Sequence, residues 1–258
     1  MNDASQEDLL VERRGAVLLL TFNRPHARNA LTLAGARRMV AALKELDDDP
    51  ELRVAVLAGA GGNFCSGMDL KAFLHGERPY VEGYGYAGFT ERAPHKPMIA
   101  AVEGYALAGG FEAALACDII VASREAKFGL PEVKRGLVAA AGGLMRLPRR
   151  IPYHIAMQHV LTGEMMSAQS AAHWGLVNEL VEPGGALAAA MTLAKRISEN
   201  APLAVMASKH VVSEAGSWQV DDMFERQANF IDHVFHSEDA QEGSKAFAEK
   251  RLPCWAGR

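Results

Sequence analysis

The sequence lacks the features of a membrane or secreted protein. No apolar run in its 258 residues reaches the ~18 residues that a membrane-spanning helix needs. The three cysteines, Cys65, Cys117 and Cys254, cannot all pair, so a disulfide framework is not expected and reduced thiols are. The first ten residues are polar and acidic, unlike a signal or transit peptide. We therefore expect a cytoplasmic protein with no membrane partner.

Excess positive charge is also missing. The formal net charge is −4, which offers no bulk attraction to nucleic acid, and no stripe of basic and aromatic residues compensates for it. Walker and G-x-G-x-x-G patterns are absent. His233 and His236 have helical spacing but no third ligand within reach of the sequence pattern. These absences predict no nucleic-acid partner, no metal and no redox cofactor.

What the chain does contain is an ordinary globular composition, with 49% hydrophobic and 22% charged residues. Apolar strand-like runs over 9–13, 16–22, 54–57, 97–102 and 118–122 alternate with helical patterns, one of which Thr32 can cap. This alternation predicts an α/β layered fold. After Ala201 and Pro202 only helical patterns follow, over 203–212, 220–235 and 238–251. We therefore predict an α/β core over 1–201 and a helical region over 202–258.

A buried acid stands out between Gly104 and Asp118. From Gly110 onward the residues are good helix formers and almost all apolar, which predicts a short buried helix. Gly109 and Gly110 open it, leaving free N–H groups that suit a negative charge. Glu112 interrupts the apolar pattern, and a buried carboxylate is costly unless it is paired or used. Glu112 is therefore a candidate catalytic group, the alternative being a satisfied ion pair.

A second carboxylate follows twenty residues later. Glu132 comes directly after Pro131, which we expect to break any strand or helix and so to fix an irregular backbone. Two buried carboxylates near one another acquire different proton affinities, which would give one acid and one base.

Other segments are less specific. Residues 71–96 show no clear period and are rich in glycine and aromatic residues, which we interpret as the wall of a pocket rather than a plain surface loop. Arg146, Arg149 and Arg150 are interpreted as a solvated face.

Six segments form a recognisable set: A-x-A-G-G-x-E at 106–112, C-D-I-I at 117–120, F-G-x-P-E-x-x-x-G at 128–136, and three more around 23–31, 64–70 and 247–251. Together they resemble the crotonase superfamily, and its enoyl-CoA hydratases in particular. The resemblance covers roughly residues 10 to 258. The resemblance implies a spiral core of ββα units with a C-terminal helical trimerisation region, and a homotrimer or a hexamer of paired trimers.

The resemblance also implies roles for site residues. The backbone N–H groups of Met68 and Gly109 would form an oxyanion hole for a thioester oxygen. Glu112 would act as the base on water and Glu132 as the acid. The larger side chain of Met68, where the family often has a small residue, would reshape the acyl pocket.

Contacts to coenzyme A are implied for Arg28, Ser66 and Asp69, and for Phe247 and Lys250 near the C-terminus. A surface charge remains the alternative for Arg28, and a solvated helix face for Lys250. Coenzyme A would be part of an acyl-CoA substrate, so the resemblance implies no separate cofactor.

The predicted function is that of an enoyl-CoA hydratase. Isomerases of the family typically need only the later glutamate, so the presence of both favours hydration or dehydration. The run from His236 to Arg258 is similar to carnitinyl-CoA dehydratases, which are the alternative. RNA binding, known for some family members, is disfavoured by the net charge of −4.

Overall fold

A computed structural model describes residues 7–258. Residues 1–6, which belong to the segment predicted to carry no targeting signal, lie outside the described residues. Within the described part, no helix is both long and apolar enough to cross a membrane.

The chain forms eleven strands and ten α-helices over residues 7–258. The strands are β1 Leu9–Arg14, β2 Val17–Phe22, β3 Val54–Gly59, β4 Tyr80–Val81, β5 Gly85–Tyr86, β6 Met98–Val102, β7 Tyr105–Leu107, β8 Ile119–Ser123, β9 Lys127–Gly129, β10 Met166–Ser167 and β11 Glu179–Val181. The helices are α1 Leu33–Asp48, α2 Leu70–Leu74, α3 Gly109–Ala116, α4 Gly143–Arg146, α5 Tyr153–Thr162, α6 Ala168–His173, α7 Ala186–Ser198, α8 Pro202–Glu214, α9 Met223–Phe235 and α10 Glu238–Glu249. The predicted α/β fold is confirmed.

The main sheet has six strands in the order β1-β2-β3-β6-β8-β11. The strand-like runs at 9–13 and 16–22 form an antiparallel hairpin, β1 and β2, and the remaining neighbours pair in parallel. All five residues of β6 are buried, as a parallel strand covered on both faces requires. One face carries the larger apolar cluster with α1 and α3, and the other is covered by the alanines of α7 at 186, 190 and 194.

A second, three-stranded sheet positions the site. Its order is β10-β9-β7, with β7 and β9 parallel. Each of its three strands has only two or three residues, so none shows a strand period in the sequence. The loop after β3 joins this sheet through an isolated parallel bridge between Cys65 and Ala106.

Three local predictions need correction. Pro131 does not leave the backbone irregular: it is the first residue of a 3₁₀-helix over Pro131–Arg135, where a missing N–H has no cost. The sequence of Leu176, Val177 and Asn178 also predicts a short strand, but the strand lies three residues later, at β11. Helix α2 has no counterpart in the prediction, and it begins where Asp69 accepts hydrogen bonds from the N–H groups of Lys71 and Ala72.

The helical pattern after Pro202 is confirmed as α8, α9 and α10. The Nζ of Lys209 in α8 donates to the Asp118 carboxylate at 2.8 Å and to the carbonyl of Lys96 at 2.9 Å. The division of the chain at residues 201 and 202 into two domains stays a prediction.

Gly110 provides a test of how tightly α3 packs. A Cβ at this position would lie 2.3 Å from the carbonyl oxygen and 2.7 Å from the Cβ of Cys65. We expect Gly110→Ala to lower the free energy of unfolding by about 2 kcal/mol, because α3 must move away from the chain at Cys65. Urea unfolding at fixed protein concentration measures this.

Gly216→Ala is the matched control, since a Cβ there meets no atom within 4 Å and the residue has no positive φ. It should change stability by no more than about 0.5 kcal/mol. Equal urea midpoints for the two variants would contradict the packing described here.

Candidate active site

A cleft of about 1520 Å³ opens between the loop after β3, the N-terminus of α3 and the 3₁₀-helix at 131–135. Seven of the nine predicted site residues line it: Arg28, Ser66, Met68, Asp69, Gly109, Glu112 and Glu132. The sequence separation between them is large, so the fold brings these residues together.

The two loops that carry the predicted oxyanion donors touch at Gly67. Its φ is +97°, and a Cβ there would lie 2.7 Å from the Cβ of Ala108 and 3.2 Å from the backbone N of Gly109. Only glycine fits both the angle and the space. Ala108 itself has φ +51° and ψ −130°, an unfavourable backbone conformation for a non-glycine residue, and it turns β7 into α3.

The N–H groups of Met68 and Gly109 are free of backbone partners within residues 7–258. Leu31 donates to the Gly67 carbonyl at 2.8 Å and accepts from the Asp69 N–H at 3.2 Å. This pairing on either side of Met68 leaves the Met68 N–H directed away from Leu31. Gly109 is the first residue of α3, where no intrahelical acceptor exists. Both groups can therefore donate to a ligand in the cleft.

Glu112 is held rigidly in the first turn of α3 and is 3% exposed. Its Oε1 accepts from the N–H groups of Ala141 at 2.7 Å and Gly143 at 2.9 Å. Burial raises the pKa of Glu112, and the two N–H groups and the charge of Arg146 oppose that rise. The same two donors stabilise the ionised form, which suits a base.

Arg146 corrects the prediction of a solvated basic face. Its guanidinium donates to the carbonyls of Ala141 at 3.3 Å and Thr90 at 2.6 Å, so it supports the loop that grips Glu112. Arg149 and Arg150 are exposed, as predicted. The long-range contact of Arg146 leaves no trace in the local sequence.

Glu132 differs from Glu112 in its surroundings. Its Oε2 is buried and has no hydrogen-bond partner among the described residues. Burial raises the pKa of Glu132 to about 7. The backbone N–H of Glu132 itself opposes this rise, and the negative charge of Glu112 adds to it. Glu132 therefore holds its proton close to neutral pH, which suits an acid.

Three of the five residues predicted to contact coenzyme A line the cleft: Arg28, Ser66 and Asp69. Arg28 places its guanidinium 5.3 Å from the ring centre of Tyr105, and the Ser66 hydroxyl donates to the Ala27 carbonyl at 3.3 Å. The Asp69 carboxylate pairs with Arg24 at 2.9 Å, which lowers its pKa, and it also caps α2. Both carboxylate oxygens of Asp69 are therefore engaged within the protein, one with Arg24 and the other at the N-terminus of α2.

Phe247 and Lys250 do not line this cleft. Both lie at the end of α10, where Phe247 is 88% exposed and Lys250 ends the helix with φ +53°. Their predicted contact with coenzyme A therefore stays a prediction.

The segment over 71–96 contributes aromatic side chains to the cleft, as its interpretation as a pocket wall predicts. Phe73, Tyr80 and Tyr86 line the cleft, whereas Phe89 is fully buried in the core. Arg24 also lines the cleft without having been predicted. Within residues 7–258 no group of three or more His, Cys, Asp or Glu side chains is arranged to hold a metal ion.

The largely parallel main sheet, and a cleft lined by two carboxylates and by two residues with free N–H groups, define an α/β enzyme of the crotonase fold. A sequence profile described as enoyl-CoA hydratase/isomerase matches residues 12–258. The carnitinyl-CoA dehydratase of Salmonella typhi is 44% identical over 98% of this chain and 99% of its own length.

Solved structures of similar proteins have the same fold. The enoyl-CoA hydratase of Mycobacterium tuberculosis H37Rv superposes with a TM-score of 0.96 at 56% identity, covering 98% of this chain and 100% of its own. The carnitinyl-CoA hydratase of Mycobacterium avium gives 0.78 at 46% identity, covering 98% and 100%. The chain belongs to the enoyl-CoA hydratase/isomerase family of the crotonase superfamily, and it is a hydro-lyase of that family.

The pKa of Glu132 predicts a pH-dependent cost to the fold. Because this pKa rises from 4.5 to about 7 on folding, the stabilising contribution of the neutral carboxyl is present below pH 4.5 and is lost as the pH rises through 7. Glu132→Gln stays neutral, so we expect a higher Tm than the parent protein at pH 8 and the same Tm near pH 4. Differential scanning calorimetry at both values measures this, and a lower Tm for the variant at pH 8 would contradict it.

Proposed function

We propose that the protein is an enoyl-CoA hydratase that adds water across the 2,3 double bond of a 2-enoyl-CoA thioester. The observation that carries this proposal is the presence in one cleft of two carboxylates with different environments beside two free backbone N–H groups. Membership of the family and the likeness to the M. tuberculosis enoyl-CoA hydratase support it.

In this mechanism the thioester oxygen accepts hydrogen bonds from Met68 and Gly109. These bonds polarise the conjugated alkene, and removal of one such donor costs on the order of 3 kcal/mol in barrier height. Glu112 takes a proton from the water that attacks C3. Glu132 delivers its proton to C2 as the enolate collapses. The reverse path, with the proton positions exchanged, is dehydration.

The rest of the cleft suits the coenzyme A part of the substrate. Arg24, His26, Arg28, Lys71 and Arg135 bring basic groups to its lining, where they can attract phosphates. Exposed apolar side chains on α8 and α9, such as Val212, Phe224 and Phe235, leave surface for neighbouring copies. We propose a trimer or a hexamer of paired trimers, in which Phe247 and Lys250 close the coenzyme site of a neighbour.

Carnitinyl-CoA dehydration is the second candidate. The S. typhi relative bears that name. In this chain the hydroxyl of Tyr80 donates to the Glu91 carboxylate at 3.2 Å, and both line the cleft. An aromatic ring beside a carboxylate suits a trimethylammonium group.

A substrate panel separates the two candidates. Crotonyl-CoA, a long-chain 2-enoyl-CoA and crotonobetainyl-CoA are compared at fixed enzyme concentration, in the parent protein and in Glu91→Gln. We expect crotonyl-CoA to give the higher kcat/KM, with no effect of Glu91→Gln. A preference for crotonobetainyl-CoA that Glu91→Gln abolishes would favour the second candidate.

Substitution tests the two glutamates. We expect Glu112→Gln and Glu132→Gln each to lower the hydration rate at least about a hundredfold, the scale of one lost acid or base, without unfolding the protein. The double variant should be little worse than either single one. Glu125→Gln is the control, because Glu125 is exposed and outside the cleft. Turnover near the parent level for either single variant, with every enoyl-CoA tried, would refute the assignment.

The pH dependence of the rate tests whether Glu112 and Glu132 together carry one proton in the active enzyme. Both directions need one proton on the pair of glutamates, and the hydration equilibrium consumes no proton. We therefore expect kcat/KM for hydration and for dehydration to fall together above pH 7, as Glu132 ionises. Initial rates between pH 5 and 9 in each direction measure this. A flat profile from pH 6 to 9 would contradict the roles given to the pair.

A further inference from the structure

Tyr86 lies directly over the start of α3. It belongs to β5, and its ring occupies the space that a side chain on Gly109 would take. A Cβ on Gly109 would be 2.2 Å from Cε1 of the ring and 2.5 Å from its hydroxyl oxygen. The φ of Gly109 is not positive, so the obstacle to a side chain at this position is the ring of Tyr86 and not the backbone angle. The hydroxyl of Tyr86 therefore sits beside the N–H proposed to bind the thioester oxygen.

The hydroxyl has no partner in the protein. Within residues 7–258 four buried side-chain oxygens lack a hydrogen bond, on Tyr86, Thr90, Glu132 and Asp222. Two of these, on Tyr86 and Glu132, line the cleft. A buried polar group without a partner destabilises the fold, so its presence at a cleft indicates that a ligand atom completes it.

Tyr86 keeps its proton at neutral pH. Burial raises the pKa of the phenol well above its ordinary value, and the nearby Cys65, Glu112 and Glu132 add to the rise. Tyr86 is therefore a hydrogen-bond donor in this cleft and not an acid that gives up its proton.

We propose that the Tyr86 hydroxyl donates a third hydrogen bond to the substrate's thioester oxygen as charge develops on it. A ketone-like carbonyl oxygen has two lone pairs, which the N–H groups of Met68 and Gly109 occupy. The enolate oxygen gains a third, which the Tyr86 hydroxyl is placed to meet. No proton is transferred. The bond is weak to the polarised carbonyl of a bound thioester and strongest in the transition state, where the charge on the oxygen is largest. This inference rests on the proposed hydratase function.

Tyr86→Phe removes one oxygen and keeps the ring, so a packing role alone predicts no change. We expect kcat for crotonyl-CoA hydration to fall about 10- to 100-fold, in line with a lost oxyanion donor, with KM changed less than threefold. Because the hydroxyl has no hydrogen-bond partner among residues 7–258, Tm should not fall. Tyr84→Phe, in the same hairpin but outside the cleft lining, is the control and should match the parent protein.

Absorption of bound 4-(dimethylamino)cinnamoyl-CoA identifies the atom that Tyr86 contacts. Polarisation of its thioester carbonyl shifts the band to longer wavelength. We expect a large red shift with the parent protein and a clearly smaller one with Tyr86→Phe.

An unchanged kcat in Tyr86→Phe would overturn the inference. So would a lower kcat with an unchanged red shift, because Tyr86 would then contact some atom other than the thioester oxygen. If the parent protein neither hydrates enoyl-CoA nor shifts the band, the proposed function fails and this inference fails with it. If the parent does both and only the Tyr86 effects are missing, the proposed function stands without the inference.

Discussion

The site depends on a short backbone pairing between the chain at Cys65 and strand β7. The Cys65 N–H donates to the Tyr105 carbonyl at 2.9 Å, and the Leu107 N–H donates to the Cys65 carbonyl at 2.9 Å. These bonds bring the loop after β3 against the start of α3, close enough that only glycine fits at Gly67. Two N–H groups from distant parts of the sequence then face one cleft. Because backbone atoms supply both donors, the side chain of Met68 is free to shape the pocket.

Different hydrogen-bond environments give the two carboxylates different proton affinities. Glu112 receives two N–H donors from a loop that Arg146 braces, which favours its ionised form. Glu132 has a buried oxygen without a partner, which favours its protonated form and raises its pKa to about 7. Desolvation acts on both, so the difference lies in the hydrogen bonds. A fold that leaves Glu132 and Tyr86 unsatisfied gives up some stability at the place where a ligand would restore it.

Much of this architecture could be predicted from the sequence. The apolar runs of β2, β3 and β6 are long enough to be recognised as strands. Thr32 caps α1 as expected, and Glu112 is conspicuous in an apolar helix. β7 and β9 have three residues each and form only because neighbouring chain pairs with them. The roles of Arg146 and Tyr86 rest on contacts with residues far away in the sequence, which no local pattern encodes. Phe247 and Lys250 lie at the end of α10, outside the cleft, and their proposed contact with a neighbouring copy stays a prediction.

The central claim is that the N–H groups of Met68 and Gly109 hold the thioester oxygen. A crystal structure with acetoacetyl-CoA, a thioester that cannot be hydrated, tests it most directly. We expect the thioester oxygen about 3 Å from both backbone nitrogens, with C2 and C3 lying between the carboxylates of Glu112 and Glu132. A thioester oxygen that is bound in the cleft but contacts neither nitrogen would contradict it.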